Sequence, residues 1–148
     1  MASTLNEITD DRTRAKRLRE FLHDCAGSAP CEEAERVRDA VLELGGSGLD
    51  AKGPIDVTMI HAMLDSGAVT SAVLELMGPG ACFMLSRGPQ GACLASVVLR
   101  DGAEEAIAEA SSLGLALLGA HVAAVLAQIE KASFETEALP APAWMRVH

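Results

Sequence analysis

Aromatic side chains are nearly missing from this chain. It has three phenylalanines, Phe21, Phe83 and Phe134, one tryptophan, Trp144, and no tyrosine. A base-stacking platform or an aromatic sugar cleft needs more rings than these, and the scarcity argues against both. Positive charge is scarce as well. Lys and Arg number 12 against 21 Asp and Glu, a formal net charge of −9. That sign is wrong for nonspecific binding to nucleic acid or to an anionic membrane.

Cysteine patterning is missing too. Cys25, Cys31, Cys82 and Cys93 follow no disulfide-framework spacing, and His23 with Cys25 and Cys31 matches no zinc knuckle. The opening MASTLNEITDD lacks the basic and apolar regions of a signal peptide. Reduced thiols and a cytoplasmic setting are the expectation. No G-x-S-x-G elbow, H-E-x-x-H or G-x-G-x-x-G is present. The GGSG at 45–48 follows a helical segment and lacks the Gly-Lys-Ser/Thr ending of a phosphate cradle. These gaps predict no catalytic residues, no metal and no resident cofactor, and the chain leans away from being an enzyme.

What is present points to one domain over 1–148, of α+β class and mostly helical. Residues 4–25 repeat Leu5, Ile8, Ala15, Leu18, Leu22 and Cys25 at helical steps, behind a Thr4–Glu7 capping box. The opposite face gathers Arg12, Lys16 and Arg19 at i, i+4 and i+7, the chain's main concentration of cations. It reads either as a surface for an acidic partner or as a solvated face balanced by neighbouring acids. A second helix is predicted over 29–44, with Ser28 as its cap and Pro30 in its first turn. Asp56 caps a third at 57–65, carrying Met59, Ile60, Met63 and Leu64 inward, and a fourth runs from about 70 to Met77.

Gly88-Pro89-Gln90-Gly91 predicts a hairpin closed by a type I turn with a glycine bulge, flanked by strands at 81–86 and 92–99. Both strands are apolar on both faces. A long apolar helix is predicted over 104–131, capped by Asp101, with Glu104, Glu105 and Glu109 in its opening turns and Lys131 in its last. Its middle is apolar all round, which implies burial on every side. At about fifteen residues the apolar run falls short of the roughly 20 a membrane span needs. Small residues such as Gly114, Gly119 and Ala120 let other elements approach it closely. Pro140 and Pro142 make 132–148 an extended tail, ending in an apolar tip at Trp144, Met145 and Val147.

His121 is the one ionisable side chain inside that apolar helix. Burial there costs free energy unless the ring finds a partner. Structurally it reads as a neutral core histidine; functionally it reads as a ligand contact, in a pocket between hairpin and helix lined by Met59, Met63, Phe83 and His121. His61 with Asp65 is the one His–carboxylate pair at helical spacing.

Three functional expectations follow. The first is a small acidic protein acting through protein–protein contacts, as a homodimer, because the hairpin and long helix carry more apolar surface than two strands and one helix can hide. The interaction candidates are Arg12, Lys16, Arg19 and Trp144. In size, acidity and hairpin-then-helix order the chain is similar to small acidic secretion chaperones, although 29–55 reads as helix and loop where that family has strands. The second is a small-ligand binder at the His121 pocket. The third is a winged-helix-like regulator, whose recognition helix would be TSAVLELM, a segment without Arg, Lys, Asn or Gln to read a base.

Overall fold

The computed structural model describes residues 2–45, 55–100 and 104–137. Helix α1 spans Ala2–Gly27, a 3₁₀ turn Pro30–Glu32, α2 Glu33–Gly45, α3 Val57–Asp65 and α4 Val69–Met77. Strands β1 (Cys82–Arg87), β2 (Cys93–Val98) and β3 (Ala106–Ala110) follow, and α5 (Leu113–Glu137) ends the described chain. The expected class is what is found: α+β and mostly helical, with four helices, then the hairpin, then a long apolar helix.

The strands form one antiparallel sheet in the order β1-β2-β3. The hairpin turn matches the expectation in chemistry as well as place. Gly91 adopts φ +86°, and its N–H donates to the Gly88 carbonyl at 3.1 Å. Only glycine takes that backbone conformation without strain. The third strand departs from expectation. Residues 104–112 do not begin the long helix; Ala106–Ala110 pairs with β2, and α5 starts at Leu113. Ala and Glu are good helix formers, but propensity is a small free-energy term per residue, and the free edge of β2 supplies ladder hydrogen bonds that override it. Glu109 therefore lies in a strand, α5 has no acid in its first turn, and Lys131 is interior to a helix that continues to Glu137. The expected Asp101 cap and the 138–148 part of the tail lie outside the described residues.

Ser112 is the actual cap of α5. Its Oγ accepts the N–H of Leu115 at 3.1 Å. Asp56 caps α3 as expected, accepting from the Met59 N–H at 3.0 Å. Ser28 does not cap α2; its hydroxyl donates to the Asp24 carbonyl at 2.6 Å and so closes the end of α1. Helix α1 begins at Ala2, ahead of the capping box read at Thr4.

The core is centred on α5, which packs on β2 and β3, along α1, and against α4 and α2. Leu115, Leu117, Leu118 and Val122 are fully enclosed. Val97 and Ala95 meet α5 from the sheet side, Leu18 and Cys25 come from α1, and Val37 and Val73 from α2 and α4. The small residues act as the sequence suggested. A Cβ at Gly119 would stand 3.2 Å from the Cβ of Ala108, so helix and sheet approach closely. Ala106, Ala108 and Ala110 on β3 leave the room for this. Burial at this density contributes on the order of 25 cal/mol per Å² of apolar surface removed from water.

Candidate functional site

The register sorts the sheet into two faces. Cys93, Ala95 and Val97 of β2 are buried, and their partners Arg87, Leu85 and Phe83 on β1 and Ala110, Ala108 and Ala106 on β3 share that inner face. The alternate residues form the outer face: Met84, Ser96 and Ile107 in one row, Ser86, Leu94 and Glu109 in the next, and Cys82 with Val98. Met84 is 72% exposed, Ile107 59% and Leu94 43%. The helices that pack on the sheet, α5 and α1, serve the inner face and the β3 side. Three large apolar side chains thus stand exposed on one face of the sheet.

Phe83 belongs to this region from the other face. It is an inner-face residue, yet it is 42% exposed, because β1 is the outermost strand and lies farthest from the cover that α5 gives to β2 and β3. His121 lies in the middle of α5 and is 6% exposed. Its Nδ1 is buried with no hydrogen-bond partner. Burial lowers its pKa to about 4, so the ring is neutral near pH 7. Met59 and Met63 are carried by α3, whose main packing partners are α4 and α2. Met59 is exposed and Met63 half-buried against the core. The four residues read as one pocket are therefore distributed over three elements: α3, β1 and α5.

The basic face of α1 is solvent-facing at Arg12, Lys16 and Arg19, and the Arg19 guanidinium is ion-paired with Glu130 of α5. That pair is exposed on both sides and contributes little to stability. Trp144 lies outside the described residues. Asp65 is engaged by Arg38 at 3.1 Å. Cys25 and Cys93 are buried and Cys31 and Cys82 exposed, all four free. Burial pushes the Cys25 thiol up to about 12, with the Arg36 guanidinium opposing the shift. A thiol held protonated in this way is a poor nucleophile. Among the described residues no three His, Cys, Asp or Glu side chains are grouped to hold a metal ion. By length and composition α5 could cross a membrane, and most of that stretch is buried inside the fold. Helix α4, the counterpart of a winged-helix recognition helix, buries Ala72, Val73 and Leu76 and turns Ser71, Leu74 and Glu75 outward.

Two features escaped the sequence reading. The outer-face trio of Met84, Leu94 and Ile107 was hidden because 106–110 reads as helix by composition; the alternation in AIAEA was its one signal. A polar junction at the start of α5 was the other. There Ser111 donates to the Ser28 carbonyl at 2.7 Å, Ser112 to Glu33 at 2.6 Å, and Arg36 Nε to Ser28 Oγ at 2.9 Å. The Ser111 and Ser112 contacts join residues far apart in sequence, and no local pattern announces them. Comparison with protein families, with characterised proteins and with solved structures returns no match to this chain.

Proposed function

We propose that this is a non-catalytic protein working through protein–protein contacts, as a homodimer with adaptor or chaperone-like use of its sheet. The observation that carries the reading is a sheet that, among the described residues, is covered on one face, with Met84, Leu94 and Ile107 exposed on the other. The third strand reduces the apolar surplus expected from two strands and locates what is left on that outer face and at β1. Its strongest acid–base candidate, His121, is neutral and enclosed, which fits a structural role better than proton transfer. Light scattering and sedimentation of the purified protein test the reading. A dimer at micromolar concentration is the expected result, and a monomer under those conditions would remove it.

A second reading, binding of a small apolar ligand, is favoured by the buried His121 Nδ1 that lacks a hydrogen-bond partner. A buried polar atom without a partner is costly, and a bound acceptor or donor would relieve that cost. Native mass spectrometry of freshly purified protein distinguishes the two. Extra mass retained on the native protein and lost in His121→Leu supports ligand binding; the bare chain mass excludes it for that preparation.

A further inference from the structure

The two edges of the sheet differ. Helix α1 packs against β3, and the exposed acids Glu105 and Glu109 lie at that side. Charge and cover of this kind keep other strands away. Among the described residues, strand β1 has no helix along its edge and no acid. Cys82–Arg87 runs in unbroken register with β2, without proline, lysine or bulge, and its single charge is Arg87 at the hairpin end.

Backbone hydrogen bonding fixes which groups the β1 edge offers. The Gly88 N–H donates to the Ala92 carbonyl at 2.8 Å, which makes Gly88 and Ala92 a hydrogen-bonded pair. Such pairs alternate along an antiparallel ladder, so Ser86–Leu94, Met84–Ser96 and Cys82–Val98 also turn their N–H and C=O groups toward each other. Phe83, Leu85 and Arg87 must therefore turn theirs outward, to the open edge. All three have inner-face side chains.

Charge selects the occupant. The chain carries a net −9, yet from Leu76 through Arg100 it contains no acid. A basic partner would be drawn elsewhere on this molecule, whereas two copies that each carry a net −9 can meet at this acid-free, apolar stretch without bringing carboxylates together. Area favours neither mode: stacking the outer faces of two such three-stranded sheets covers roughly 250 Å² per copy and pairing two β1 edges covers no more, both below the ~800 Å² per partner of a standard interface. Edge pairing adds backbone hydrogen bonds that stacking lacks.

We infer that β1 pairs antiparallel with β1 of a second copy about a two-fold axis through Leu85, making one continuous six-stranded sheet. The inference rests on the homodimer reading and supplies its seam. Side chains opposite one another in an antiparallel pair share a face, so inner residues must meet inner residues. With the axis at Leu85, Leu85 meets Leu85 of the partner subunit and Phe83 meets Arg87 of the partner subunit. The N–H and C=O of all three edge residues are then bonded, and each Arg87 has an aromatic ring beside it. An axis at Met84 would leave the Arg87 groups unpaired. On the outer face Met84 stands opposite Ser86 of the partner subunit in a non-hydrogen-bonded pair, with Cα atoms about 4.5 Å apart, a spacing that accepts a disulfide.

The test uses the full chain carrying Cys31→Ser and Cys82→Ser, with Met84→Cys and Ser86→Cys added together or Met84→Cys added alone. Both positions are exposed in the single chain, and circular dichroism of the reduced proteins checks the fold. Under mild oxidation the paired variant is expected to run as a covalent dimer on a non-reducing gel, and Met84→Cys alone to stay a monomer there. Light scattering is run in parallel. A dimer in solution that fails to cross-link in the paired variant, or that cross-links through Met84→Cys alone, overturns this seam and leaves the homodimer reading standing. A monomer overturns both. A second variant, Met84→Glu with Ser86→Glu, sets four carboxylates along the seam; it is expected to be monomeric with an unchanged far-ultraviolet circular dichroism spectrum and an unfolding midpoint that no longer depends on protein concentration, and a persisting dimer overturns the inference.

Discussion

The Ser112 hydroxyl donates a 2.6 Å hydrogen bond to Oε2 of Glu33, tying the start of α5 to the start of α2. The same oxygen accepts the Leu115 N–H at 3.1 Å, so one side chain both caps the central helix and anchors it to its neighbour. Ser112→Ala removes both contacts. A lost N-cap costs about 1 kcal/mol, up to about 2, and urea unfolding is expected to show a loss in that range or slightly above. A loss near zero would mean that the cap and the Glu33 bond are not formed in solution.

Gly114 sits on the same junction. A Cβ there would collide with the Glu33 carboxylate and stand 3.3 Å from Cγ1 of Val69. In an ordinary helix interior Gly→Ala gains about 1 kcal/mol. Here Gly114→Ala is expected to destabilise, because it displaces the carboxylate that Ser112 holds. In a Glu33→Ala background the same substitution should cost markedly less. The four proteins form a double-mutant cycle read by urea unfolding, and strict additivity would sink the explanation.

His121 sets a pH dependence with a definite sign. Its pKa is about 4 in the folded chain against the 6.5 of an ordinary histidine. Between those values the unfolded chain binds the proton and the folded chain does not, so stability present near pH 7 is lost as pH falls from about 6.5 toward 4. At about 1.36 kcal/mol per pKa unit the loss approaches about 3 kcal/mol by pH 4. His121→Leu is expected to remove that part of the slope. Urea midpoints of both proteins at pH 7 and pH 4.5 decide it, since the carboxylates titrate in both; parallel profiles would contradict the burial argument.

Thiol reactivity follows burial. In the native protein a thiol reagent is expected to modify Cys31 and Cys82 rapidly and to spare Cys25 and Cys93. Mass spectrometry of the labelled chain reads the sites, and all four should react in denaturant. Rapid native labelling of Cys25 would show that α1 does not lie where its buried thiol requires.

Ile107→Lys and Leu94→Lys test whether the outer sheet face is open. Substitutions at exposed sites usually change stability by less than about 0.5 kcal/mol, and thermal unfolding is expected to stay within that margin. A loss above about 2 kcal/mol at either site would mean that the face is covered by another element.

Much of the fold was legible in the residues themselves. The Asp56 cap, the glycine-bulge hairpin at Gly88–Gly91 and the all-round apolarity of 113–127 are local signals, set by backbone geometry and side-chain polarity within a few residues. They determined the helices, the hairpin and the burial of His121. The tertiary structure decided the rest. Ala106–Ala110 became a strand because β2 presented a free edge, which helix propensity does not see. Met84, Leu94 and Ile107 became a patch only when three strands aligned them in register. Of the α3 methionines expected to face inward, Met59 stays exposed and Met63 is half-buried, on a helix packed against α4 and α2, because helical periodicity does not name the neighbour a segment meets. Pairing partners lie far along the chain, and their choice depends on which apolar faces and open hydrogen-bonding groups remain once the local elements have formed.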